Sequence, residues 1–154
     1  MDAGLLHLHN LLRWVVLLFL IIVLLKSASG MNGNKPFTAS DRKTALFLMI
    51  SVDIQLLIGL ALYFMKGWNK VLASGGEAMK NAAMRFWSVE HIMGMIIAII
   101  LVHIGYSAAK KPIADAAKFK KVFWFNLIAL IIILVTIPWP FRALVGRPWF
   151  PGMH

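Results

Sequence analysis

Several histidines lie in the most apolar parts of this chain, and their spacing limits the chemistry that they can perform. The segment HLHNLLRW, residues 7–14, places His7 and His9 at the start of a long apolar run. A second apolar run begins near His91 and carries His103 twelve residues later. Polar side chains are costly in hydrocarbon, so each of these histidines needs a partner, a ligand or access to an interface.

His9 and His91 form the first candidate site. Residues two positions apart point about 200° apart around a helix, so His7 and His9 cannot face the same centre. We take His9 as the site residue, with His7 as its neighbour and as the alternative ligand. Imidazoles from two facing helices can hold the iron of a non-covalent b-type haem, which predicts bis-histidine ligation by His9 and His91. The alternative is that these histidines are interfacial and bonded to Glu90 or to water.

Three further residues are assigned to this first site. Arg13 lies one helical turn beyond His9, where it needs an acid or an anionic cofactor group as its partner. We therefore expect Arg13 or Arg85 near the haem propionates. Gly94 follows His91 by three positions, and we expect its missing side chain to leave room for the macrocycle.

A second polar set lies at another depth and comprises Asp53, Gln55 and His103. Asp53 and His103 are expected to meet as an acid and imidazole pair. His103 is about 18 Å along the helix from His91, so the two histidines cannot bind one iron. The functional options for His103 are a second haem, a quinone contact or proton uptake, and a charge-compensated pair without a function is equally open.

The elements that carry these residues are membrane helices. The 154 residues are 60% hydrophobic and 14% charged, with a mean hydropathy of +0.79. Four apolar spans, at about residues 4–25, 45–65, 88–108 and 122–141, are long enough to cross a bilayer of about 30 Å. The sequence therefore predicts a single membrane domain, residues 1–154, with an all-α antiparallel four-helix transmembrane bundle.

The distribution of charge predicts how the helices are oriented. The net charge is +10, and nine cations lie in the connections after the first and third spans, against seven on the other side. By the positive-inside rule both termini are periplasmic in a bacterial inner membrane. Solvated loops and contacts with the lipid bilayer explain these cations, so we expect no nucleic-acid partner.

Other chemistries lack their residues. The chain has no cysteine, which excludes disulfides and covalent c-type haem. The segment VEHIMG has one acid and one histidine in place of the two histidines of a zinc hydrolase motif. No serine hydrolase triad or nucleotide fingerprint is present, so a haem remains the best-supported cofactor, with a quinone as a second option.

The segments LHLHNLLRW, IQLLIGLALYF, WSVEHIMGMIIAIILVHIG and IPWPFR resemble small bacterial four-helix membrane proteins labelled cytochrome b. More distantly, they resemble one half of haem A synthase, whose helical bundles bind haem through histidines. The resemblance covers nearly the whole chain and implies haem binding.

These observations predict a b-type cytochrome that passes single electrons between membrane quinol and a redox partner or a larger respiratory complex. The chain is too small to hold a flavin domain of its own, so it needs such a partner. Two other functions stay open: a haem-free accessory subunit of a larger membrane complex, and a small proton-coupled transporter that uses Asp53 and His103.

Overall fold

The computed structural model describes residues 2–152 and is almost wholly helical. Helices account for 76% of it, and residues 2–152 contain no strand. Four helical stretches are long and apolar enough to cross a membrane, with mean hydropathies between 2.0 and 2.4. These stretches are Ala3–Ala28, Ala39–Met65, Ala82–Ala109 and Asp115–Thr136. The predicted all-α fold is confirmed, and the chain is a multi-pass membrane protein.

Residues 2–152 contain seven α-helices and one π-helical turn in succession. They are α1 (Asp2–Ala28), α2 (Ala39–Met65), α3 (Trp68–Ala73), α4 (Gly76–Lys80), α5 (Ala82–Arg85), the π-helical turn (Phe86–Glu90), α6 (His91–Ala109) and α7 (Asp115–Thr136). Helix α7 ends at Thr136, before the predicted limit of the fourth span at residue 141. Pro138 is the reason, because a residue before proline disfavours the helical region, and Ile137 is extended with ψ 133°.

The four long helices form a ring in which neighbours pack side by side. Helix α1 packs against α2 and α7, and α6 packs against the same two helices. Helices α1 and α6 therefore lie diagonally opposite each other. We call the end with the start of α1 and the end of α7 the histidine end. The opposite end, with connections 29–38 and 110–114, is the loop end.

Small and branched apolar side chains fill the interior of the bundle. Nine on the four long helices are at most 2% exposed: Leu20, Val23, Ala45, Leu48, Val52, Ala98, Val102, Val122 and Ala129. The surface of the bundle is also apolar, since Leu25 and Leu57 are each 67% exposed. Buried small residues let membrane helices approach closely. At Gly105 of α6, an added Cβ would lie 2.8 Å from Nδ2 of the buried Asn126 on α7.

We expect Gly105→Val to destabilise the bundle by about 1–3 kcal/mol, because overpacking forces α6 away from α7. The measurement is thermal unfolding in detergent, with a lower midpoint expected for the variant. Gly4→Val is the control, because a Cβ at Gly4 meets nothing within 4 Å. Equal midpoints for the two variants would show that α6 and α7 are not closely packed at Gly105.

Candidate functional site

His9 on α1 and His91 on α6 face each other across the bundle at the histidine end. Their ring centroids are 6.4 Å apart, and the ring planes are inclined by 67°. Two imidazole nitrogens that bind one metal ion from opposite sides at about 2 Å each hold their ring centroids about 6 Å apart. The separation of the two rings therefore fits one metal ion between them. His7 lies on the exposed side of α1.

The neighbours of His91 define which of its ring nitrogens is free. Its Nδ1 lies 3.2 Å from the backbone oxygen of Thr136 on α7. Because a carbonyl oxygen only accepts hydrogen bonds, Nδ1 carries the proton and the lone pair of the neutral ring lies on Nε2. Histidines that bind metals commonly donate from their second nitrogen to a carbonyl in this way. His91 is thus oriented as a ligand would be.

His9 has an unmet hydrogen-bonding capacity. Its Nδ1 is buried and has no partner among residues 2–152. The Gln55 side chain of α2 donates from Nε2 to the backbone oxygen of His9 over 3.0 Å, which ties α1 to α2 at this level. An unpartnered buried nitrogen is costly, so the site favours a ligand there. Gln55 was predicted to lie with Asp53 and His103, but the structure places it beside His9.

A π-helical turn immediately precedes His91. The hydroxyl of Tyr63 on α2 donates to the backbone oxygen of Ser88 in this turn over 2.9 Å. The rings of Phe86 and Trp87 each lie 5.7 Å from the His91 ring. Single π-helical turns are frequent at functional sites because they change the side of a helix from which a residue projects. This turn and its neighbours set the direction of His91.

Two glycines near the histidines have different roles. A Cβ at Gly94 would lie 2.7 Å from Oγ1 of Thr136, so Gly94 lets α6 approach α7. We expected Gly94 to leave room for a macrocycle, and this expectation is wrong, because Gly94 faces Thr136. Gly59 of α2 is the glycine that lies against a candidate ligand, because a Cβ there would lie 3.1 Å from Cε1 of His9. Gly59 follows Gln55 by four positions, so the two residues share one face of α2.

A cavity lies beside the two histidines and is lined by all four long helices. Its wall is mostly apolar and includes Leu60, Met95 and Ile133, and its volume is about 140 Å³. Common ligand pockets measure roughly 300–1,000 Å³. A large flat ligand would therefore enter only if side chains of the cavity wall move aside.

Three cations line this cavity, and no acid of residues 3–152 does. They are Arg13, Lys66 and Arg147. Five acids with described side chains each pair with another residue: Asp41 with Lys26, Asp53 with His103, Glu77 with Lys80, Glu90 with Arg85 and Asp115 with Lys118. The cavity wall is thus mostly apolar with three cations, which suits a ligand with an apolar body and anionic groups.

Arg13 is 7% exposed and binds the segment that follows α7. One of its terminal nitrogens donates to the backbone oxygens of Pro148 and Trp149 over 2.8 and 2.7 Å. Its Nε is buried and has no partner within residues 2–152, so one donor stays free. Arg85 does not line the cavity; its Nε lies 2.7 Å from a carboxylate oxygen of Glu90. We expected Arg85 beside the cofactor, but Arg85 lies outside the cavity and pairs with Glu90.

Asp53 and His103 lie together in a second, separate place nearer the loop end. Oδ1 of Asp53 is 2.7 Å from Nε2 of His103. The two side chains remain 41% and 44% exposed. This pair lies on the surface of the bundle, and it shares no hydrogen bond with His9, His91 or Gln55 within the described residues.

Comparison with known proteins adds no further assignment. No protein-family model, curated protein or solved structure matches this chain. Within residues 2–152, no group of three or more His, Cys, Asp or Glu side chains could hold a metal ion. A bis-histidine haem uses two protein ligands, so the facing histidines are the feature that bears on a cofactor.

We expect Arg13→Ala to release the segment of residues 147–152, because two backbone oxygens lose their shared donor. Hydrogen exchange of this segment should become faster, and protease cleavage there should increase. Arg85→Ala is the control, since it removes a cation at the same end that bonds Glu90 and Met79. Unchanged exchange in Arg13→Ala would mean that the other contacts of the segment hold it, among them the hydrogen bond from Trp14 Nε1 to the backbone oxygen of Trp149.

Proposed function

We propose that this protein is a b-type cytochrome that carries single electrons in a bacterial inner membrane. His9 and His91 would be the axial ligands of one non-covalent haem. The observation that carries the proposal is the opposition of two imidazoles from diagonally opposite helices, 6.4 Å apart, with a buried ring nitrogen that has no partner. The resemblance to small membrane proteins labelled cytochrome b points the same way.

The haem, when bound, supplies the one-electron chemistry, and the protein sets its conditions. The Thr136 carbonyl orients His91 and increases the basicity of its free nitrogen. Gly59 has no side chain, so the His9 ring can pack closely against α2. The apolar cavity wall would keep water away from a haem held by His9 and His91, and this exclusion of water would help to set its reduction potential.

The cations of the cavity wall would hold the haem propionates. Arg13 offers its unpartnered Nε, and Arg147 likewise has a buried Nε without a partner among the described residues. Lys66 lines the same wall at the end of α2. Because the described acids are all paired elsewhere, an anionic ligand would balance this charge.

The orientation and the partners belong to the same proposal. The cation count puts both termini on the periplasmic side, so the haem would lie near the periplasmic surface. The chain would need a redox partner or a larger respiratory complex to receive or deliver the electron. The electron would pass between membrane quinol and this partner.

The decisive experiment is an absorption spectrum of the protein purified gently from its own membrane, first oxidised and then reduced. We expect a six-coordinate, low-spin haem b spectrum. His9→Ala and His91→Ala should each abolish this spectrum or lose the haem, because one imidazole cannot fill both axial positions. His7→Ala is the matched control and should keep it, since His7 points away from the cavity. A haem-free native protein, or a normal spectrum in both His9→Ala and His91→Ala, would refute the proposal.

We further expect Gly59→Leu to lower haem occupancy severalfold, because the new side chain displaces the His9 ring. The measurement is the ratio of Soret absorbance to protein absorbance after reconstitution with excess haem. Gly76→Leu is the control, since a Cβ there meets nothing within 4 Å. Thermal unfolding of the haem-free forms separates haem loss from misfolding. Full occupancy in a folded Gly59→Leu variant would exclude this glycine from the site.

A second candidate function is a haem-free accessory subunit of a larger membrane complex. The cavity volume of about 140 Å³ and the bonding of Arg13 to backbone oxygens favour it. Its sign would be a protein that stays haem-free through gentle purification and reconstitution and that co-purifies with a larger assembly.

A further inference from the structure

A groove on the surface of the bundle contains the only acid and imidazole pair among the side chains of residues 3–152. It lies between α2 and α6, with Phe125 of α7 at its edge, and its volume is about 640 Å³. That size is within the range of pockets that bind small molecules. Apolar side chains, including Leu56 and Ile99, form its part nearest the middle of the bundle. Lys111 and Lys121 lie where it reaches the loop end.

The pair lies deep in the membrane-crossing part of the helices. Asp53 is near the middle of α2, and His103 precedes the end of α6 at Ala109 by six residues, about 9 Å along the axis. The side chains are nevertheless 41% and 44% exposed on the surface of the bundle. Ionisable groups that face hydrocarbon are costly and commonly mark functional sites. The pair therefore calls for a ligand with polar groups that reaches this depth.

The hydrogen bond within the pair leaves one imidazole nitrogen available. With Asp53 ionised, Nε2 of His103 donates to Oδ1 over 2.7 Å, and the neutral ring carries its lone pair on Nδ1. Nδ1 has no hydrogen-bond partner within the described residues. It can accept a hydrogen bond from a hydroxyl, and in the protonated ring it can donate one to a carbonyl. Asp53 stabilises both arrangements by orienting the ring and balancing its charge.

Few membrane components offer such groups at this depth. The phosphate of a phospholipid would stop near Lys111, roughly 10 Å from His103 along the groove, and its acyl chain has no polar atom to offer. A quinone ring carries two carbonyl oxygens, a quinol ring carries two hydroxyls, and both have an apolar isoprenoid tail. The apolar part of the groove suits such a tail, and His103 suits either form of the ring.

We propose that this groove binds the ring of an isoprenoid quinone or quinol, with His103 as its hydrogen-bonding partner and Asp53 as the residue that positions the imidazole. The inference deepens the proposed function by giving the membrane quinol a binding site, and its link to electron transfer rests on that function. Binding of the ring itself does not require haem, so the two proposals can fail separately.

The test uses the full-length protein in lipid nanodiscs and a photoreactive azidobenzoquinone with a decyl tail. Peptide mapping should place the label on α2 or α6 around Asp53 and His103, and excess decylubiquinone should suppress it. His103→Leu and Asp53→Leu should each reduce labelling at least tenfold. Each variant leaves one member of the pair without its partner, so thermal unfolding first establishes that the variant is folded. Ser51→Leu is the control, because the Ser51 hydroxyl bonds only its own helix, at Phe47, among the described residues.

The remaining outcomes separate the possibilities. Labelling that maps elsewhere, or that persists in His103→Leu, would overturn the proposal. The proposal would also be overturned if no labelling occurs and chemical cross-linking captures a dimer that His103→Leu abolishes. That result would assign the groove to contacts between copies of the chain. Labelling should survive in His91→Ala, so a protein that binds the probe without any haem would support this site while refuting the cytochrome proposal.

Discussion

Polar groups inside hydrocarbon need hydrogen-bond partners, and this requirement determines how the helices of the bundle pack against each other. Apolar side chains pack against lipid and against each other with similar free energy, so they select the register of the helices only weakly. Polar contacts select it more strongly. Gln55 joins α2 to the backbone of α1 at His9, the His91 ring joins α6 to α7, and Arg13 joins α1 to the segment after α7. These three contacts all lie at the histidine end and hold the elements around the cavity.

The coarse features of the fold could be predicted from the sequence because they depend on length and composition. Four apolar runs of about 20 residues can only be membrane helices, and short connections make neighbours antiparallel. Comparable depths of His9 and His91 follow from their positions within these runs. Hydropathy alone makes the fourth helix too long, since the apolar residues continue past Thr136, whereas the prolines of IPWPF mark its end in the sequence. Pro138 ends the helix there by a local steric effect that an average over many residues does not register.

The finer features of the site depend on the rotation of each helix, which hydropathy does not fix. All four helices are apolar around most of their surface, so the sequence pattern does not tell which face is interior. Gly94 was therefore assigned to the cavity although it faces Thr136, while Gly59 beside His9 was missed. The π-helical turn Phe86–Glu90 adds a second difficulty, because one extra residue in a turn rotates everything that follows. Arg13 has partners 135 and 136 residues away, and no local pattern could pair them.

The two candidate sites contain different charged groups, and these groups suit different chemistry. The interior cavity has cations and no described acid, and a positive surrounding stabilises a group that gains an electron. The groove has an acid bonded to an imidazole, and a proton taken up by the imidazole turns the pair into a neutral ion pair. Helix α6 carries a residue of each site, His91 and His103, about 18 Å apart along its axis. A rigid helix that separates these residues by a fixed distance would keep electron chemistry and proton chemistry at different depths of the membrane.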